Sequence, residues 1–302
     1  MSARQVLGAV EGGGTKFVCM IGTSPIDVVD EITIPTGDPA ATLGAVIEFL
    51  QQPRPECHLA AIGISMFGPL GLSPEQPGYG GTLATPKPGW SHVRVVSPLA
   101  RRLAVPIGFD TDVNGAVLGE ARWGAAQNLD PVVYLTVGTG VGGGALVNGG
   151  TIHGLLHPEM GHVPMPRLPG DDYAGWCPFH GRCLEGLVSG PALEERCGRP
   201  VSQVSPDDPV WDLTARYLAY GLSTLVLTLS PRRIVLGGGV MRQAKLLPLV
   251  RRALREILND YVRVPEIQDK IDDYVVLSTL DQKAGLYGAL VLAERALARS
   301  RS

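Results

Sequence analysis

Three runs of glycine interrupt this 302-residue chain where strands should end: Gly12-Gly13-Gly14, Gly138 to Gly144, and Gly237-Gly238-Gly239. The 39 glycines follow no three-residue period, so they do not mark a fibrous repeat. Glycine has no Cβ and lets backbone approach a ligand closely, so clusters of it point to binding loops. Gln5 to Ala9 and Phe17 to Ile21 flank the first run as short strands. Val132 to Val137 and Ala145 to Val147 flank the second, and the strand Ile234 to Leu236 leads into the third. The repeated strand–glycine–strand order predicts two related α/β lobes. The boundary is placed near residue 113, giving an N-terminal lobe over 1–112 and a larger C-terminal lobe over 113–283. The apolar face Leu286, Ala289, Leu290, Ala293 and Leu297 marks a final helix within 284–302, a candidate to pack back on the first lobe.

Other elements follow from local signals. Asp38-Pro39 reads as a helix start, with Asp38 as the cap and Leu43, Val46, Ile47 and Leu50 on one face. Leu59 to Ser65 and Ile107 to Asp110 read as strands, the latter leading into a helix over about Gly115 to Trp123. Leu213 to Leu229 reads as a long helix stopped at Ser230-Pro231. Gly68 to Gly89 is a long loop, and such loops in compact domains usually carry function.

Composition excludes several classes. With 45% hydrophobic and 18% charged residues and a net charge of −3, the chain has no basic footprint for nucleic acid. Its longest apolar stretch, Leu218 to Leu229, is too short to span a bilayer. No secretory leader is visible at the N-terminus. Five cysteines, an odd number in a long chain, argue against a disulfide framework and for a reducing cytoplasm.

The glycine runs can hold phosphate through uncovered backbone N–H groups, with Thr15 and Thr139 as hydroxyl donors and Lys16 as a cation. Taken singly, each reads equally well as a tight turn. No Gly-x-x-x-x-Gly-Lys-Ser/Thr loop occurs, and the first run lies between two strands rather than ahead of a helix, unlike a dinucleotide fingerprint. Asp112 lies just past a strand; on the residues alone it reads as a helix cap. Four of the six histidines fall between His153 and His180, and Cys177 and Cys183 lie close by. Cys177, His180 and Cys183 are spaced by three, and a fourth ligand, His162 or His157, would complete a closed tetrahedral zinc site.

As a set, the three glycine runs resemble the two phosphate motifs and the adenosine motif of the actin-like ATPase superfamily. Along almost its whole length the chain resembles the repressor/open-reading-frame/kinase (ROK) family of sugar kinases. The resemblance implies a two-lobed α/β actin-like ATPase (ribonuclease H-like) fold with a cleft between lobes. It assigns nucleotide and magnesium contacts to Glu11, Gly12, Gly13, Gly14, Thr15, Lys16, Gly138, Thr139, Gly140, Gly142, Gly237, Gly238 and Gly239. Glu11 stands where the family usually has Asp. Asp110-Thr111-Asp112-Val113-Asn114 matches the family's Asn-Asp-x-Asn segment, which makes Asp112 the catalytic base and Thr111 a substrate contact in place of Asn.

Glu159-Met160-Gly161-His162 matches the Glu-x-Gly-His motif, which selects His162 as the fourth ligand of a structural zinc beside Cys177, His180 and Cys183. His180 replaces a cysteine usual in the family, a pattern similar to its fructokinases. The loop segments Gly68-Pro69-Leu70 and Thr85 to Trp90 also resemble that branch, and Trp90 reads either as a stacking platform for a sugar or as a core plug. Glu159, His162 and Glu185 are implied sugar contacts. The implied activity is ATP-dependent, Mg2+-requiring phosphorylation of a hexose, D-fructose first. Glucose, mannose or an N-acetyl amino sugar is the alternative substrate, and a sugar-sensing regulator the alternative class. The short stretch before Glu11 has no room for the helix-turn-helix of the family's repressors. The resemblance implies a homodimer, and neither nucleic acid nor membrane is an expected partner.

Overall fold

The computed structural model describes residues 3–301; residues 1, 2 and 302, which fall within the expected lobe boundaries, lie outside the described residues. The chain forms two compact units. The first joins the chain up to Gln127, the segment Thr151–Pro158 and the chain from Gln282 onward; the second comprises Asn128–Gly150 and Glu159–Asp281.

The first unit begins with three strands, β1 (Arg4–Gly12), β2 (Lys16–Ser24) and β3 (Asp27–Pro35). Helix α1 (Pro39–Gln51) starts as expected, the Asp38 carboxylate accepting from Ala41 N at 3.0 Å. Strand β4 (Cys57–Met66), helix α2 (Val96–Leu103), strand β5 (Ile107–Thr111) and helix α3 (Asp112–Trp123) follow. The sheet order is β3-β2-β1-β4-β5, with β1, β4 and β5 parallel and the hairpins antiparallel.

Side chains alternate across this sheet with the two-residue period of a strand. Val6, Val10, Phe17, Cys19 and Ile21 pack with Val46 and Phe49 of α1 and Leu99 of α2. Leu7, Ala9 and Met20 pack on the opposite face with Leu286, Ala289, Leu290 and Ala293. Trp90 is a core plug: it is fully buried, stacks on Phe17 at 5.4 Å and donates Nε1–H to the Gly37 carbonyl.

The second unit contains β6 (Val132–Val137), β7 (Val141–Val147), Gly150 of the two-residue β8 (Gly150–Thr151), α4 (Leu184–Val188), α5 (Gly190–Cys197) and α6 (Val210–Leu229). It continues through β9 (Arg233–Gly237), α7 (Leu246–Leu258), α8 (Pro265–Gln268), α9 (Ile271–Tyr274) and β10 (Val275–Leu277). Its sheet runs β10-β9-β6-β7-β8; β6 pairs antiparallel with β7 and parallel with β9. This repeats the first unit, where β1 pairs antiparallel with β2 and parallel with β4. The chain closes with α10 (Ala284–Arg301), which belongs to the first unit.

Two local expectations need correction. Strand β7 starts at Val141, inside the second glycine run, because Gly142, Gly143 and Gly144 pair with Thr136, Leu135 and Tyr134. Helix α3 starts at Asp112 rather than Gly115: Thr111 is its cap, its hydroxyl oxygen accepting from Asn114 N at 3.1 Å. Asp112 is therefore the first helical residue and not the cap.

Candidate active site

In the first unit the carboxyl ends of the parallel strands β1, β4 and β5 carry Glu11, the loop after Met66, and the turn Asp110-Thr111-Asp112. Open α/β sheets bind ligands at this end. Glu11 is partly buried, and the backbone of Leu286 near the start of α10 favours its charged form. Gly285 lets α10 approach Glu11 closely: a Cβ on it would lie 2.3 Å from Glu11 Oε1, so the carboxylate would have to move aside. Burial, then the nearby charge of Asp112, pushes the Glu11 carboxyl up to about 7, with Lys16 pulling the other way. Burial also raises the Asp112 carboxyl, against the Val113 N–H that donates to its Oδ1 at 2.9 Å. Carboxylate oxygen such as that of Glu11 is a hard donor suited to Mg2+.

The hairpin between β1 and β2 is closed by Gly13 N–H donating to the Lys16 carbonyl at 2.9 Å, and Thr36 Oγ1 donates to the Gly13 carbonyl at 2.7 Å. Gly14, Thr15 and Lys16 are exposed at its tip, and a Cβ on Gly14 would meet nothing within 4 Å. Thr111 is buried at 3%, with its hydroxyl engaged in capping α3.

In the second unit, parallel pairing of β6 with β9 sets Thr136 opposite Gly237, so the Gly138–Gly143 hairpin and the Gly237–Gly239 turn emerge together. Gly238 has φ +92° and packs against the Val137 carbonyl, where a side chain would collide at 2.4 Å. Gly239 opens on free space, and a Cβ on Gly138 would come no closer than 3.8 Å to any atom, that of Gly239 N. Thr139 is exposed at the hairpin tip. Exposed glycine backbone of this kind offers N–H donors to phosphate oxygen.

Beside the hairpin, Glu185 Oε2 accepts from Val141 N at 3.0 Å, and Glu185 Oε1 lies 3.9 Å from His162 Nε2. Glu159 precedes the 3₁₀ turn Met160–His162 and is exposed. His162 turns its other nitrogen toward the sulfurs: Nδ1 lies 3.7 Å from Cys177 Sγ and 3.5 Å from Cys183 Sγ. His180 Nδ1 is 3.7 Å from Cys177 Sγ.

Among the described residues, these four are the group of potential ligands gathered around one point, with all donor atoms within 4.8 Å of one another. Tetrahedral bonds of ordinary Zn–S and Zn–N length place sulfur and nitrogen about 3.6 Å apart, so the donor set fits zinc. Burial pushes the Cys183 thiol up to about 11 without a metal; a bound cation supplies what would hold it as thiolate. Gly181 at φ +56° turns the chain between His180 and Cys183, and its N–H closes on the Cys177 carbonyl at 2.8 Å.

The histidine cluster of the sequence divides. His162 and His180 join the cysteines, whereas His153 and His157 belong to the first unit. His157 accepts from Leu70 N at 3.1 Å, and His153 pairs with Asp110. The sequence offers His157 as an alternative fourth ligand and no role for His153. Its actual partner, Asp110, is 43 positions away and had no local signal.

The architecture is that of the two-lobed actin-like ATPase fold, as found in sugar kinases. The ROK family profile matches residues 7–296, and the chain belongs to the ROK family. It is 44% identical over 292 residues to a putative fructokinase of Bacillus subtilis, covering 97% of this chain and 96% of that protein. It is 41% identical to a fructokinase of Pediococcus pentosaceus, covering 97% and 99%. The ROK hexokinase of Thermus thermophilus superposes with a TM-score of 0.78 at 26% identity, covering 97% of this chain and 99% of that one.

Proposed function

We propose that this chain is a fructokinase, transferring the γ-phosphoryl group of ATP to D-fructose to give D-fructose 6-phosphate. The observation that carries the reading is full-length similarity to fructokinases at 41 to 44% identity. Asp112 accepts the proton of the attacking sugar hydroxyl, and its desolvated carboxylate is a stronger base than an exposed one. Phosphoryl transfer needs positioning and charge neutralisation more than covalent chemistry. Backbone N–H groups of Gly12 to Gly14 and Gly138 to Gly142 receive phosphate oxygens, with Thr15, Thr139 and Lys16 beside them. Gly237 to Gly239 adjoin the adenosine. Glu11 would hold Mg2+, which neutralises phosphate charge when bound.

Glu159, His162 and Glu185 accept from or donate to sugar hydroxyls, as paired polar groups suit a polyol. His162, Cys177, His180 and Cys183 would hold zinc as a closed structural site. The site then has no open coordination position, so the zinc's role is to fix the loop carrying Glu185. We assign the protein to the cytoplasm, on its five unpaired cysteines, and to a homodimer, on its family. Among the described residues no helix is long and apolar enough to cross a membrane.

The test is a coupled assay with ATP and a hexose panel. Fructose should give the highest kcat/KM. A large preference for glucose, mannose or N-acetylmannosamine would overturn the assignment, and Asp112→Asn should abolish turnover in a folded protein.

A further inference from the structure

Asp110 is a heavily hydrogen-bonded carboxylate of the first unit, and it lies two residues before Asp112. It is 2% exposed. Its Oδ1 accepts from Thr111 N at 2.8 Å, Asn114 Nδ2 at 2.8 Å and His153 Nε2 at 3.0 Å. Its Oδ2 accepts from Thr151 Oγ1 at 2.8 Å and again from His153 Nε2 at 3.1 Å. An ionised carboxylate only accepts, so His153 Nε2 carries the proton. Thr111 N and Asn114 Nδ2 bracket Asp112 in sequence, so the orientation of the Asp110 carboxylate sets the strand-to-helix turn on which Asp112 sits.

Two of the four donor groups come from one remote segment, Thr151–Pro158. That segment is pinned along its length. Gln76 Nε2 donates to the Leu155 carbonyl at 2.6 Å, and Leu70 N donates to His157 Nε2 at 3.1 Å. It therefore holds His153 against Asp110 from outside, with the His153 side chain 39% exposed on its far side. A buried carboxylate that loses a donor either stays under-satisfied or turns toward water. Here turning toward water means leaving Thr111 N and Asn114 Nδ2.

We propose that His153 is a positioning residue for phosphoryl transfer: by completing the hydrogen-bond set of Asp110 it holds the turn that aims Asp112. This rests on the reading of Asp112 as the base. Misplacement of a catalytic group by about 1 Å costs as much as a hundredfold in rate, so the effect belongs in kcat. His153 itself touches neither sugar nor nucleotide in this proposal.

The experiment compares His153→Phe, which keeps the ring and removes the donor, with His153→Gln, whose amide nitrogen can reach the same carboxylate. Melting temperature and steady-state kinetics for fructose and ATP are measured for both, with Asp112→Asn and Asp110→Asn alongside. His153→Phe should lower kcat by roughly tenfold or more while both KM values stay within about threefold. His153→Gln should recover most of kcat. In the His153→Phe background, Asp110→Asn should add much less than it does alone, as for coupled neighbours.

Wild-type kcat in a folded His153→Phe would overturn the proposal. So would a loss confined to KM, a Gln variant as slow as the Phe variant, or full additivity with Asp110→Asn. The controls separate the two readings. If Asp112→Asn keeps turnover, the base assignment fails; if Asp112→Asn is inactive and His153→Phe is normal, only the positioning role fails.

Discussion

Gly288 of α10 lies in backbone contact with Gly115 of α3: a Cβ on Gly288 would sit 1.7 Å from the Gly115 carbonyl oxygen. Gly119 also approaches the Ala284 carbonyl, at 2.4 Å for its own Cβ. The contact joins two helix starts that matter, since α3 begins with Asp112 and the first turn of α10 packs Gly285 against Glu11. Gly288→Ala should therefore separate the helices. The expected cost is about 3 kcal/mol or more, at the upper end for overpacked sites because the obstacle is backbone. Denaturant unfolding measures it, and kcat should fall with stability. A variant with unchanged midpoint and kcat would show that the contact is not needed.

Glu11 is held at a cost. Its folded pKa of about 7 lies above the ordinary 4.5, so between those values the folded chain binds a proton that the unfolded chain has released. Stability from this group therefore falls as pH rises from 4.5 toward 7, and the full penalty applies above 7. At about 1.4 kcal/mol per tenfold change in proton affinity, the penalty is on the order of 3 kcal/mol. Without divalent cations, Glu11→Gln should raise the melting temperature at pH 8, leave it almost unchanged at pH 4.5, and impair turnover. A variant less stable than wild type at pH 8 would refute the desolvation account.

Asp112 predicts an acid limb. A base must be ionised, and burial raises this carboxyl above an ordinary aspartate. kcat should then fall with decreasing pH at a higher pH than the ordinary value of about 3.9 would give. A pH–rate profile with fructose saturating tests it; a flat profile to pH 4 in a stable enzyme would exclude Asp112 as the titrating base.

Features set by short-range chemistry were legible in the sequence. Asp38-Pro39 starts α1, and Cys177, His180 and Cys183 converge because a turn at Gly181 joins neighbours in the chain. Features set by distant partners were not. Trp90 could have faced a sugar or the core, and only the packing of Phe17 and Phe67 around it decides for the core. Asp112 looked like a helix cap because Asp, Thr and Asn all cap well, and the hydrogen bond from Asn114 N settles the role on Thr111. The amphipathic helix α7 was missed although its pattern is readable. The edge strand β3 was missed because most of its residues are exposed and lack a clean alternation.

The zinc site proposed at His162, Cys177, His180 and Cys183 gives the last prediction. Cys183 is fully buried, caps α4 by accepting Gly186 N–H at 3.4 Å, and stands two residues before Glu185. Metal loss should therefore loosen the start of α4 and, with it, the carboxylate that meets Val141 N. The purified protein should contain about one zinc per chain. Strong chelation or Cys183→Ser should lower the melting temperature by roughly ten degrees, since binding energy at a structural metal site is folding energy. KM for fructose should rise more than KM for ATP, because Glu185 and His162 are the proposed sugar contacts. A zinc-free protein with normal stability and normal KM for fructose would refute a structural metal at these residues.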